Sequence, residues 1–421
     1  MRMKNSNSQM QPQRHRGTEK NFKGLVRLIS SVPLFLCACI FLAAPAQADP
    51  HKLLVWINSD KAYTGLQQVG DAFEKASGVK VVVEHPVDAP EKFQTAAGSG
   101  KGPDIFCWPH DRVGEWVKGG LLTPLSIGPK LRDTVEEQAW TAFTYKGRIW
   151  GYPIAIETTG LIYNKALVPQ PPATWGELIA LDKQLQAKGK HAVLWDYNKS
   201  FFTWPMVAGA GAFIFAKDAQ GDFDPRQVGV NNEGALAGAA MIKRLIDEGH
   251  MPRGARYSEM ETGFARGNVA MMISGPWAWD NAKKAKIDFG VAPIPAVIAG
   301  KPSKSFVGVL GCMIAAPSKQ KDIAREFIEN QLMKPESLKV LDNDVPIGVP
   351  ANKAFYAELS VNPLIKASMT NTRNGAVIPN IPEVGRFWTA MDAALEAVTN
   401  GLQSPKEALD GAAGRMLLKQ Q

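Results

Sequence analysis

The sequence is poor in residues that do covalent or metal chemistry. Four cysteines and six histidines serve 421 residues, and no C-x-x-C occurs. No two histidines have the spacing of a helical metal pair, so the usual zinc frameworks are missing and no cofactor is expected. There is no G-x-S-x-G. A Ser-His-Asp triad needs no local motif, so it stays open. GSGKGPD (98–104) fails as a phosphate loop, because Lys101 is followed by Gly102 rather than Ser or Thr and the upstream glycine is misplaced. AGAGA (208–212) lacks the third glycine of a dinucleotide fingerprint. No repeat recurs at a solenoid period.

Long apolar runs are also scarce. VPLFLCACIFLAA (32–44) is short for a bilayer span. Arg14, Arg16, Lys20 and Lys23 precede it, and Ala46-Gln47-Ala48 follows it. This order is that of a cleavable Sec signal over 1–48, with an A-x-A site before Asp49 and export as the expectation. No Arg-Arg pair suggests a twin-arginine route. A lipoprotein alternative would use Leu36-Cys37-Ala38-Cys39, but apolar residues continue where a soluble tether should begin. Residues 1–48 hold seven Lys/Arg and one Glu, which leaves 41 basic and 39 acidic residues beyond them. The basic balance thus belongs to the leader, and nothing asks for nucleic acid. Beyond the leader only Cys107 and Cys312 remain, each inside an apolar run. An oxidising compartment permits a bridge; the reading taken here is two buried free thiols.

A chain of this length exceeds one core, so two lobes are expected. KLLVWIN (52–58), VKVVVEH (79–85) and PDIFCW (103–108) read as parallel strands buried on both faces. Leu66, Val69 and Phe73 give the intervening segment one apolar helix face, which Gly78 ends. The result is an open α/β sheet. Further strands are read at NVAMMIS (268–274) and SFVGVLGCMIAA (305–316), and a helix at 231–250. Ser404-Pro405-Lys406-Glu407 opens a last helix with a capping box.

Aromatic residues carry more information. All eleven tryptophans lie beyond residue 50. Trp108 ends a strand, Trp277 and Trp279 follow another in GPWAW, and Phe201, Phe202 and Trp204 share SFFTW. Phe387 and Trp388 share GRFW. Each could be ordinary core. Ligands in open α/β sheets bind beyond the carboxyl ends of strands, and four clusters in such positions suggest a shared cleft. A flat apolar face beside Asp111 and Arg112 suits a sugar, with C–H groups on its face and hydroxyls on its rim. The two charges are also expected to pair with each other. Asp111 with Glu157 is the carboxylate pair to suspect for glycoside hydrolysis, although no local motif supports it.

The motifs KLLVWINSDKAYTGL (52–66), VVVEHP, GPDIFCWPHDR, GYPIAIE, LIYNK, FFTWP, GPWAW, FVGVL, VIPNIP and FW run collinearly from Lys52 toward the C-terminus. In this order they resemble the periplasmic maltose/maltodextrin-binding proteins of bacterial ABC importers. The resemblance implies an α/β fold of two lobes, each a mainly parallel sheet flanked by helices, with a ligand cleft between them. It places an N-lobe at 49–155 and 310–355, and a C-lobe at 160–305 and 361–421. Hinges would lie at 156–159, 306–309 and 356–360. It implies a polar ligand group of Asn58, Asp60, Lys61, Asp111, Arg112 and Glu157, and stacking residues Trp108, Phe201, Phe202, Trp277 and Trp388. The implied partners are maltose or maltodextrin, an inner-membrane permease and a chemoreceptor that reads the closed form. The protein would act as a periplasmic monomer without catalysis.

Departures from the family pattern fall at Pro90, Lys199, Phe201, Thr389, Asp392 and Ile378. Lys199 and Asp392 stand where that family carries a glutamate and an arginine. Linkage or chain length is where these departures would tell. The alternatives are a receptor for another oligosaccharide such as trehalose, a secreted glycosidase, and a substrate-free adhesion or chaperone-like protein.

Overall fold

A computed structural model describes residues 52–218 and 222–418. The leader inferred for 1–48, with Cys37 and Cys39, lies outside the described residues. Eleven strands build two main sheets: β1 (Lys52–Ile57), β2 (Lys80–Glu84), β3 (Ile105–Pro109), β4 (Tyr152–Thr158), β5 (Gly160–Asn164), β6 (His191–Leu194), β7 (Val269–Ser274), β8 (Phe289–Ala292), β9 (Phe306–Ile314), β10 (Val349–Pro350) and β11 (Ala376–Val377).

The first sheet runs β10-β4-β9-β3-β1-β2, with β11 added at the start of β9. β1 pairs in parallel with both β2 and β3, as their unbroken apolar character implies. The helix Tyr63–Ser77 joins β1 to β2, burying Leu66, Val69 and Phe73 and ending on Gly78 at φ 76°. β9 returns antiparallel between β3 and β4 and is buried along all nine residues. The second sheet runs β8-β5-β7-β6, with β7 parallel to β6 and antiparallel to β5. Both sheets are flanked by helices, which gives an α/β fold of two lobes.

Among the described residues two links join a strand of one sheet to a strand of the other, and a helix between β10 and β11 also reaches the second sheet. Thr159 alone separates β4 from β5. Residues 293–305 lead from β8 back to β9. The helix Lys353–Leu359 follows β10 of the first sheet, whereas the next helix, Pro363–Asn374, sends the Asn371 amide to the Ala292 carbonyl of β8 at 3.3 Å. Gly160 sits where a Cβ would come within 2.5 Å of that Asn371 amide nitrogen, so the first crossing has no room for a side chain.

The free-thiol reading is corrected. Cys107 on β3 and Cys312 on β9 are cross-strand partners with Cα atoms 4.0 Å apart, and they form a disulfide. Sheet register brings together two cysteines separated by 205 residues, which local sequence cannot show. Of the aromatic clusters, Trp204, Trp279 and Phe387 are core; Trp204 stacks on Phe306 at 4.9 Å with a 3° interplanar angle. Trp108, Phe201, Phe202, Trp277 and Trp388 remain half-buried.

Candidate functional site

The carboxyl ends of β1 and β3 lead directly into charged residues. After β1, the Asn58 amide donates to Asp60 at 2.6 Å, and the Lys61 backbone N–H closes a turn on the Asn58 carbonyl at 3.1 Å. Asp60 is exposed; Lys61 is buried. Its ammonium meets Glu157 of β4 at 2.6 Å and lies 4.4 Å from the centroid of the Trp277 ring. Burial disfavours the Lys61 charge, but Glu157 and Asp60 outweigh it and hold its pKa above the ordinary value. Burial raises the Glu157 pKa, with Lys61 opposing. The ion pair thus links the first sheet to an aromatic that follows β7 of the second.

From Trp277 a line of rings continues. Phe201 lies 6.1 Å from Trp277 and 6.5 Å from Trp388, and Phe202 lies 6.4 Å from Trp277. Phe201 and Phe202 open the helix Ser200–Gly209, and Trp388 sits in the helix Val384–Thr399. The Trp388 indole N–H donates to Asp111 at 3.1 Å. The line therefore returns to the first sheet, since Asp111 lies in the short turn of helix that follows β3. Burial pushes the Asp111 carboxyl up to about 6, against Arg112 and the Trp388 N–H. Trp108 lies apart from this line, stacked on Phe106 at 5.9 Å.

Arg112 favours the Asp111 charge, as expected, while its guanidinium makes ion pairs with Glu91 at 3.0 Å and Glu115 at 3.9 Å. The departures at Lys199 and Asp392 are one feature, because their side chains meet at 3.0 Å. A glutamate–arginine pattern has become lysine–aspartate, with the charges exchanged between the two positions. Asp392 also accepts from the Ser200 N–H and hydroxyl at 2.8 and 2.7 Å, fixing the start of the helix that carries Phe201.

Sequence reasoning missed Tyr257 and His110. The Tyr257 hydroxyl accepts from the Trp277 indole at 3.0 Å and contacts Ser274 at 3.1 Å, so it sets the plane of the ring. Tyr257 opens a helix three residues after Gly254, a local signal like that of the chosen clusters, and it was passed over because it stands as a single aromatic. His110 is fully buried; its Nδ1 accepts from Val309 N–H at 3.0 Å, leaving Nε2 to donate to the Ile378 carbonyl at 2.9 Å. It joins the end of β3 to β9 and to the residue after β11. Burial pushes its pKa down to about 4.

Two α/β sheets joined by crossing segments, with aromatic faces and paired charges meeting between them, define a two-lobe binding protein: a molecule that holds a solute and leaves it unchanged. The chain belongs to the bacterial extracellular solute-binding proteins, whose family match covers residues 57–332. It is 31% identical over 402 residues to a galactooligosaccharide-binding protein of Bacillus subtilis, covering 92% of this chain and 94% of that one. It is 30% identical over 413 residues to a maltooligosaccharide ABC transporter solute-binding lipoprotein of Streptococcus pneumoniae, with the same coverage. A maltotriose-binding protein of Pyrococcus abyssi is 28% identical over 373 residues, covering 86% of this chain and 80% of that one. These relatives are binding proteins, not enzymes, and the family works outside the cytoplasm. Among the described residues no helix is long and apolar enough to cross a membrane.

Proposed function

We propose that the protein is the periplasmic substrate-binding component of a maltose/maltodextrin ABC importer and takes α-glucosidic oligosaccharides. The observation that carries this reading is the run Lys61–Trp277–Phe201–Trp388–Asp111, in which three aromatic rings stand between two charged groups that follow strands of the first sheet. Ring faces take the C–H side of a pyranose, while Asn58, Asp60, Asp111, Arg112 and Glu157 address its hydroxyls. Trp108 and Phe202 extend the apolar surface. A sugar touching both lobes binds the closed form better than the open form and so drives closure. The hinge is placed at 156–159, 306–309 and 356–360, and the closed monomer is what a membrane permease would read. A chemoreceptor is a further reader of the same form.

A second reading is favoured by one comparison. The galactooligosaccharide-binding relative aligns along nearly the whole chain. The departures at Lys199, Phe201, Thr389 and Asp392 fall where a change of linkage or sugar would be accommodated. Calorimetry with maltose, maltotriose, trehalose and β-1,4-galactotriose separates the two, with Trp277→Ala as control. Heat from the maltodextrins, lost in the control, is the expected result; heat from galactotriose alone would select the second reading. No heat with any sugar, and no compaction by small-angle scattering, would end both. Export through a Sec signal cleaved after Ala48 is part of the proposal. The mass of the native N-terminus distinguishes it from a lipid-modified Cys37 or Cys39.

A further inference from the structure

Every polar ligand group considered so far lies on the first sheet or at its crossing. The second sheet brings only aromatic faces, yet one carboxylate stands at its ligand edge. Asp196 lies two residues beyond the end of β6. β6 and β7 run parallel with Leu194 opposite Met272, so Asp196 is level with Ser274, just ahead of Trp277. The Tyr257 backbone amide faces the Asp196 carboxylate, and the Tyr257 hydroxyl holds both Ser274 and the Trp277 indole.

Asp196 is only 7% exposed, and its Oδ1 has no hydrogen-bond partner among the described residues. Lys199 and Arg256 favour the Asp196 charge from nearby, but neither bonds Oδ1. Lys199 meets Asp392 at 3.0 Å and Arg256 meets Glu396 at 3.2 Å. The Trp195 indole donates to Thr203, and the Thr399 hydroxyl donates to Asn198. A buried carboxylate oxygen with no donor is costly, and such costs persist where a ligand supplies the donor.

We propose that Asp196 is the second sheet's polar contact to the solute, with Oδ1 accepting a hydroxyl of a saccharide stacked on Trp277. The inference rests on the carbohydrate reading above and adds a specificity determinant to it. A charged acceptor fixed beside a stacking ring selects for a hydroxyl at one position and orientation, because an analogue lacking it leaves Oδ1 without a donor.

The test is calorimetry of wild type, Asp196→Asn, Asp196→Ala and Trp277→Ala with maltotriose, β-1,4-galactotriose and monodeoxy derivatives of the better ligand. Thermal melts are run alongside. Both Asp196 variants are expected to lose roughly 10- to 100-fold in affinity with little change in melting. One deoxy derivative should bind wild type equally poorly and lose nothing further in Asp196→Ala. That coupling is a readout a purely structural role would not move. The proposal is overturned if the variants bind as wild type does while Trp277→Ala abolishes binding, an outcome that leaves the carbohydrate reading intact. It is also overturned if every sugar and derivative weakens by one common factor. If wild type binds neither trisaccharide, the carbohydrate reading falls and this proposal falls with it.

Discussion

The Trp388 indole nitrogen donates to the Asp111 carboxylate at 3.1 Å, joining residues 277 positions apart. Burial at that contact makes the Asp111 charge costly, and the donated N–H offsets only part of the cost. Its neighbour His110 is buried in the opposite sense, neutral between two backbone groups.

These adjacent residues make opposed contributions to stability as pH changes. The folded state takes up the Asp111 proton near pH 6, whereas an unfolded carboxyl takes it up near 3.8. Stability therefore rises as pH falls through that window. The folded state refuses the His110 proton down to about pH 4, while the unfolded chain accepts it near 6.5. Stability therefore falls on acidification over nearly the same range. At about 1.4 kcal/mol per pH unit, each contribution is on the order of 3 kcal/mol, and the two nearly offset. Asp111→Asn should expose the His110 slope, steepening acid destabilisation by about 3 kcal/mol between pH 6.5 and 4. Denaturant titrations of wild type and variant across that range check it; parallel profiles would sink the argument.

Lys61 and Glu157 form a buried pair under Trp277. Lys61→Met leaves a buried carboxylate without its cation and should cost about 3–5 kcal/mol. Adding Glu157→Leu removes the stranded charge and should recover most of that loss. The cycle is read by denaturant unfolding, and additive losses would show that the pair is not coupled.

Much of this arrangement was legible in the sequence. The continuous apolar runs of β1, β2 and β3 announced buried parallel strands, and glycine and proline marked their ends. Trp277 and Trp388 could be separated from the core residues Trp279 and Phe387 only by the family resemblance, since all four stand in similar local patterns. What escaped was long-range: the partner of Cys107 is set by the register of β9, and those of Arg112 and Asp111 by side chains on other elements. Asp196 carries no local motif, because its setting arises only when β6 lies beside β7.

Lys199 and Asp392 differ in importance although they form one pair. Lys199 is half exposed, so Lys199→Ala should cost under about 0.5 kcal/mol. Asp392 also holds the Ser200 N–H and hydroxyl at the start of the helix bearing Phe201. Asp392→Ala should cost about 1–2 kcal/mol and weaken sugar binding through Phe201. Unfolding curves and calorimetry of the two variants test the asymmetry; equal losses would show that only the ion pair matters.

The Cys107–Cys312 bridge ties β3, which carries Trp108 toward Asp111, to β9, which runs from the crossing through the sheet centre. Both cysteines are fully buried, so a reductant in solution reaches the bond only when the strands separate. Native protein should therefore resist mild reductant, and denatured protein should be reduced readily. A chain starting at Asp49 should show no titratable thiol when denatured without reductant. The bridge closes a loop of about two hundred residues, so Cys107→Ala/Cys312→Ala should lower stability by about 2–4 kcal/mol. Sugar affinity should change little, because neither sulfur belongs to the line of rings from Trp277 to Trp388. Two thiols titrating in the denatured, unreduced protein would restore the free-thiol reading. Lost sugar binding with unchanged stability would instead place the bridge in control of the site.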